Sequence, residues 1–225
     1  MRPFRGHSRI RGGGLYGCLA ALALAAAFLC GAGCGPEAPA GQECRVTWVY
    51  DGDTIRLRTG EHVRYIGIDA PEVAHDDRPG DPLGTEAARR NRELVAGKTV
   101  RLEWDRERHD VHGRLLAYVW LPDGRMVEEI LVEEGLARAC AVPPNTAHFD
   151  EIVAAQRRAM AARRGLWALP PPVPERFYIG NRRSLRFHRP DCRYGRRTRR
   201  ENRVRFESRE EALRQGYCPC RRCRP

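Results

Sequence analysis

The run Leu169-Pro170-Pro171-Pro172-Val173-Pro174 constrains the fold of this chain more than any other feature. Consecutive prolines lack the amide donor that helices and sheets need and settle into an extended polyproline helix. Residues 169–175 therefore read as a stiff linker that no regular element crosses. A larger body, residues 44–168, must fold on one side and a small unit, residues 176–225, on the other. A chain of 225 residues suffices for one ordinary domain plus a small one.

The body reads as mixed α and β. Period-two alternation marks strands at Arg45–Tyr50, Thr54–Arg58, His62–Ile68, Thr99–Trp104 and Leu115–Leu121. Helices are expected at Thr85–Ala96, with Thr85 as N-cap and Gly97 as stop, at Met126–Glu134 ending at Gly135, and at His148–Arg164 ending at Gly165. In the last helix Phe149, Ile152, Val153 and Met160 fall on one face, which argues for core packing. Five short strands with three helices laid on them fit an α+β fold of the oligonucleotide-binding (OB) barrel type.

Chemistry concentrates around one turn. Asp51-Gly52-Asp53-Thr54 is followed by Arg64 and then by Asp69-Ala70-Pro71-Glu72. Taken singly, each acid is ordinary turn chemistry, since Asp-Gly is a common turn dipeptide. Together the carboxylates and the guanidinium suggest metal-assisted attack on a phosphate: a hard cation prefers carboxylate and carbonyl oxygens, and a phosphodiester carries charge that must be neutralised. Arginine serves that role better than lysine, because its planar fork can bind two phosphate oxygens at once. Arg64 and Asp69 lie five residues apart, so a flat strand would point them to opposite faces. A bulge, or a strand that ends before Asp69, is required to bring them together.

These two segments, with His112-Gly113-Arg114-Leu115-Leu116-Ala117-Tyr118, resemble the staphylococcal nuclease (thermonuclease) family over residues 44–168. The resemblance implies an OB-fold barrel and a hydrolase that cuts DNA and/or RNA with Ca²⁺. Asp53, Asp69 and the backbone carbonyl of Ala70 would hold the calcium, Glu72 would be the general base, and Arg64 and Arg114 would stabilise the charged phosphorane. Two departures bear on affinity. His112 stands where the staphylococcal enzyme has a tyrosine, and Ala139-Cys140-Ala141-Val142-Pro143 lacks two further tyrosines. Base stacking on an aromatic is worth roughly 1–3 kcal/mol. The other function class, a non-catalytic nucleic-acid-binding protein, has no physical reason to keep clustered acids that repel phosphate unless a cation sits among them.

Beyond the linker, His188 with Cys192 and Cys220 with Cys223 have the short paired spacings of a structural zinc site, and four such ligands close a tetrahedron. A bound Zn²⁺ would hold together an α+β fragment too small for its own core. The rival is a disulfide knot, favoured by an oxidising compartment. Residues 177–225 resemble the zinc-binding domain of Ada-type DNA methyl-phosphotriester repair proteins. The cysteine that accepts the methyl group in that family is matched by His188, so methyl transfer is not expected. Residues 176–225 hold seventeen arginines and five carboxylates, while residues 34–175 carry a net −5. Phosphate attraction is therefore expected mainly from the C-terminal unit.

Residues 1–33 read as a signal peptide: Arg2, Arg5, Arg9 and Arg11 precede an apolar stretch from Leu15 to Cys30. A membrane-spanning anchor is the rival, but the stretch is short. Gly31-Ala32-Gly33-Cys34 resembles a bacterial lipoprotein cleavage box with lipidation at Cys34, although a large aliphatic residue is expected where Gly31 stands. The expectation is an exported protein, either a membrane-anchored lipoprotein or periplasmic or extracellular, acting as a monomer with no obligate protein partner. Of the remaining cysteines, Cys44 and Cys140 are offered as a disulfide and Cys218 is left spare.

Overall fold

The chain folds in the order strand, acid-bearing turn, strand, so the first hairpin already contains half of the acid cluster. The computed structural model describes residues 41–75 and 79–225; the expected signal peptide and Cys34 lie outside them. Strands β1 (Gln42–Val49), β2 (Thr54–Leu57) and β3 (His62–Tyr65) run antiparallel, and β4 is the short segment Ile68–Asp69. Helix α1 (Gly84–Val95) leads to β5 (Thr99–Glu103) and β6 (Leu115–Trp120). Strand order β1-β2-β3-β6-β5 closes a five-stranded barrel, with β3 and β6 parallel. Closure leaves no sheet edge, and the alternating residues Ile55, Leu57, Val63, Tyr65, Leu102 and Val119 fill the interior.

Helix α2 (Val127–Glu133), strand β7 (Arg138–Ala139) and helix α3 (Phe149–Ala161) complete the body. The expected strand His62–Ile68 is broken. Gly67 adopts φ +81°, a left-handed conformation that glycine tolerates best, and the chain turns there before β4 pairs with β7. Thr85 is not the N-cap of α1: Leu83 holds that position with φ 67°, and no side chain caps the helix. Helix α3 ends at Ala161, short of Gly165. Its residues Phe149, Ile152 and Val153 enter the barrel core, but Met160 packs against a second apolar cluster.

That second cluster belongs to the C-terminal module. Strands β8 (Tyr178–Asn181) and β9 (Arg186–His188), helix α4 (Arg193–Arg196), strand β10 (Arg203–Phe206), helix α5 (Arg209–Arg214) and strand β11 (Cys218–Pro219) form it, with sheet order β10-β8-β9-β11. Its buried apolar residues are Tyr178, Phe187, Phe206, Ala212, Leu213 and Tyr217. The module sits directly on the body. Buried Gln156 on α3 accepts from the Ala139 amide at 2.9 Å and donates to the Leu213 carbonyl at 2.6 Å, satisfying both ends of one amide across the boundary.

A disulfide joins Cys140 to Cys218, closing a loop between residues 78 apart. This overturns the expected Cys44–Cys140 pairing. Cys44 is a free thiol on β1, where its register partner is Val100 on β5, so the barrel ladder commits that strand elsewhere. Cys218 is the true partner because β11, lying beside β9, is folded back against the segment after β7. Among the described residues no helix is long and apolar enough to cross a membrane.

Candidate active site and metal centre

Asp53 ends the β1–β2 turn. The Asp51 carboxylate accepts from the Asp53 amide at 2.8 Å, an Asx turn that aims Asp53 inward. Glycine at position 52 is set by packing: a Cβ there would lie 2.6 Å from the Ala70 side chain and 2.8 Å from that of Ala87. The turn can therefore lie flat against the segment that carries Asp69. Asp53 is buried, its Oδ2 accepts from the Ala70 amide at 2.8 Å, and its Oδ1 accepts from the Thr54 hydroxyl at 3.1 Å.

Arg64, the register partner of Thr54, meets these acids. Its guanidinium donates to the Tyr65 and Ile68 carbonyls at 2.6 and 2.8 Å, wrapping the turn at Gly67. One nitrogen, Nη2, lies 3.1 Å from Asp53 Oδ2 and 3.8 Å from Asp69 Oδ1. The chain reversal thus resolves the odd spacing of Arg64 and Asp69, and both carboxylates converge on a single point. Glu72 is exposed. Its amide donates to Asp81 Oδ2 at 3.3 Å, and its carbonyl accepts from the Asp81 amide at 2.9 Å.

Carboxylates and guanidiniums are interleaved at the centre, with Arg64 and Arg221 on Asp53 and Asp69. Burial pushes the Asp53 carboxyl up to about 6 against the pull of Arg64, with Asp51 adding to the rise. Glu72 is also raised, first by partial burial and then by Asp53 and Asp69. Hard oxygen donors that converge in this way fit a divalent cation such as calcium.

Two placements differ from what the motifs predict. Arg114 is turned to Asp110 and away from the acid centre, with its Nε 2.7 Å from Asp110 Oδ2. Although burial works against ionisation of Asp110, hydrogen bonds from the Arg114 side chain and from the amides of Arg114 and His112 hold its pKa below the ordinary value. Arg114 nevertheless precedes β6 by one residue, two before Arg64's register partner Leu116, so the sheet sets it near Arg64. The second difference is an added residue. Arg221, from the module, donates to Asp69 Oδ1 at 2.5 Å across 152 residues of sequence, and no spacing pattern announces it.

In the module, the ligand atoms of His188, Cys192, Cys220 and Cys223 all lie within 4.8 Å of one another. Sulfur atoms of Cys220 and Cys223 accept amide hydrogen bonds from Arg222 and Arg189, each at 3.4 Å. Burial raises the Cys192 thiol, but the amides of Gly195 and Tyr194 outweigh it, and the net shift is downward. Burial outweighs the Arg189 amide at Cys223 and pushes that thiol up to about 12, so it is the close approach of one imidazole and three sulfurs that fits zinc. The disulfide-knot reading fails here, because three of these cysteines are free. A further group, Asp69 with Cys140 and Cys218, is a carboxylate beside the disulfide, whose sulfurs are already bonded to each other.

A closed barrel with two carboxylates and an arginine gathered at one turn defines an OB-fold protein with an acid-rich hydrolytic centre. Residues 62–169 match the model of the staphylococcal nuclease homologues, and residues 170–225 match that of the metal binding domain of Ada. The chain is 42% identical over 130 residues to the thermonuclease of Staphylococcus intermedius, covering 56% of this chain and 77% of that one. It is 38% identical over 135 residues to the SPbeta prophage-derived endonuclease YokF of Bacillus subtilis, covering 58% of this chain and 45% of YokF. Endonuclease YncB of the same organism is also 38% identical over 135 residues, with 64% of its length covered. The chain thus spans less than two thirds of the two Bacillus relatives. It belongs to the staphylococcal nuclease homologues, a family of nuclease hydrolases, and carries an Ada-type metal-binding domain at its C-terminal end.

Proposed function

We propose that this protein is a calcium-dependent nuclease that hydrolyses phosphodiester bonds of DNA, RNA or both, gripping its substrate partly through the arginine-rich zinc module. The observation that carries the reading is the convergence of Asp53 and Asp69 on Arg64 Nη2, at 3.1 and 3.8 Å. Asp53, Asp69 and the Ala70 carbonyl would hold Ca²⁺, which when bound supplies positive charge to the phosphate and to the attacking water.

Glu72 accepts the proton of that water. Its raised pKa, from partial burial and two neighbouring acids, makes it a better acceptor than an ordinary carboxylate. Arg64 neutralises charge on the phosphorane, and Arg114 exchanges Asp110 for a phosphate oxygen to join it. The body is acidic and lacks the stacking tyrosines, so the module's arginines supply much of the attraction to the substrate. His188, Cys192, Cys220 and Cys223 would hold the Zn²⁺ that keeps those arginines in place.

Export belongs to the same reading: residues 1–33 direct secretion, and Cys34 is the candidate lipid anchor. The test is digestion of single-stranded DNA by the full chain with calcium, with chelator, and with calcium restored. Cleavage that requires calcium and is strongly slowed in Glu72→Gln is expected. Intact DNA under all conditions, with undiminished binding, would establish a binding protein instead.

A further inference from the structure

A cleft of about 990 Å³ runs between barrel and module and opens onto the acid centre. Asp69 and Glu72 line it, together with Arg138, Arg209, Arg221 and Arg224. Arg138 lies on β7 directly across the β4–β7 ladder from Asp69, so the barrel delivers one guanidinium beside the proposed metal ligand. Its Nε is shielded from solvent and has no hydrogen-bond partner among the described residues. Arg209, at the start of α5, donates from Nε to the Pro225 carbonyl at 3.0 Å.

Burial, followed by the charge of Arg138, pushes Arg209 down to about 10. The Asp69 and Asp81 carboxylates act on Arg138 from nearby, and Arg209 is held by the Pro225 oxygen, but among the described residues no Asp or Glu carboxylate forms a salt bridge with either guanidinium. Two half-buried guanidiniums repel one another here, the neighbouring acids act on Arg138 alone, and a phosphate between the two would offset the repulsion at both. Arg221 completes the set from the exposed rim, where its guanidinium already reaches Asp69. Barrel and module each contribute, so the cleft exists only in the assembled chain.

We propose that this cleft is a phosphate subsite in which Arg138, Arg209 and Arg221 hold a backbone phosphate of single-stranded nucleic acid next to the one being cut. The proposal rests on the nuclease reading and specifies how the strand passes from the barrel to the module. It also gives the missing tyrosines a counterpart, with stacking on the barrel replaced by charge from the cleft. Guanidinium forks suit such a phosphate because each can present two parallel donors to it.

The test is binding of a fluorescent single-stranded oligodeoxythymidylate of about twelve nucleotides, within the usual site size of one OB fold plus its neighbour. It uses the full chain carrying Glu72→Gln, titrated across a range of salt. Removing one phosphate-neutralising charge lowers the slope of log affinity against log salt by about 0.7 for a single strand. Arg221→Gln and Arg138→Gln are each expected to show that decrease and to weaken binding several-fold at low salt. Arg138→Lys should retain the slope, and Arg89→Gln, at an exposed position on α1, should leave it unchanged.

Unchanged slopes in both Arg221→Gln and Arg138→Gln would overturn the subsite. So would an equal decrease in Arg89→Gln, or a parent that does not bind the oligonucleotide. Arg221 is exposed, so its variant decides the matter even if Arg138→Gln fails to fold. Digestion by the chain with Glu72 intact is measured separately. Reduced slopes without any cleavage would leave the subsite standing and remove the nuclease reading, and cleavage with unchanged slopes would do the reverse.

Discussion

The barrel and the C-terminal module are stabilised by different means. The barrel closes on itself around a large apolar interior, and that burial is enough to hold Asp53 and Arg64 in place with a cluster of like charges around them. The module packs a small apolar cluster of its own, borrows Met160 and Trp167 from the body, and concentrates four groups suited to a metal and one half of a disulfide. A small fragment cannot bury enough surface to offset its chain entropy, so covalent and metal links take the place of core. On the proposed reading, then, a metal at the barrel's acid centre would serve chemistry, whereas one in the module would serve the fold.

The strongest way to break this comparison is to remove zinc. A structural zinc site contributes on the order of 10 kcal/mol to the fold it closes. Cys192→Ser, or treatment with a strong chelator, is expected to expose residues 176–225 to protease while the barrel keeps its melting transition. A module that stays protected would place its stability elsewhere. Glu72→Gln should act in the opposite sense, lowering kcat by about 10²- to 10⁴-fold, or about 3–5 kcal/mol, with the melting temperature unchanged. A drop in stability of similar size in that variant would mean that Glu72 has a structural role.

Cys218→Ser opens the loop to Cys140 and should destabilise the assembled chain by about 2–4 kcal/mol. Calorimetry is expected to resolve one cooperative transition into two, with the module melting first. The smallest effect concerns a buried acid in the barrel. Glu128 accepts from the Val119 amide with both oxygens, at 3.0 and 3.2 Å, and burial holds its pKa well above 4.5. The folded state keeps a proton there that the unfolded chain releases, so the associated stability is full below about 4.5 and is lost as pH rises towards the folded pKa. Glu128→Gln cannot ionise and should flatten that decline in melting curves recorded across the range.

Much of the barrel was legible because its signals are local. Alternation at Ile55, Leu57, Val63 and Tyr65 follows from the two-residue period of a strand, and these side chains all lie in the core. The odd spacing of Arg64 and Asp69 called for a break before Asp69 but did not place it at Gly67, since an isolated glycine in a strand pattern announces a kink without giving its direction. Thr85 looked like an N-cap because the preference for threonine there is strong, but packing began the helix at Gly84 after a left-handed Leu83. The grouping of one histidine with three cysteines could be read because short paired spacings are what a chelating set requires.

By itself the sequence determined the strand and helix order of the barrel, the acid cluster with Arg64, and the grouping of His188 with Cys192, Cys220 and Cys223. Each depends on residues close in the chain or on a spacing that one element imposes. Tertiary structure decided what crosses between the parts: Cys140 bonded to Cys218 and not to Cys44, Gln156 joining the body to the module, and Arg221 reaching Asp69. Those links join residues between 57 and 152 positions apart. Nothing local records them, because the docking of two folded surfaces sets them and propensity and periodicity are blind to it.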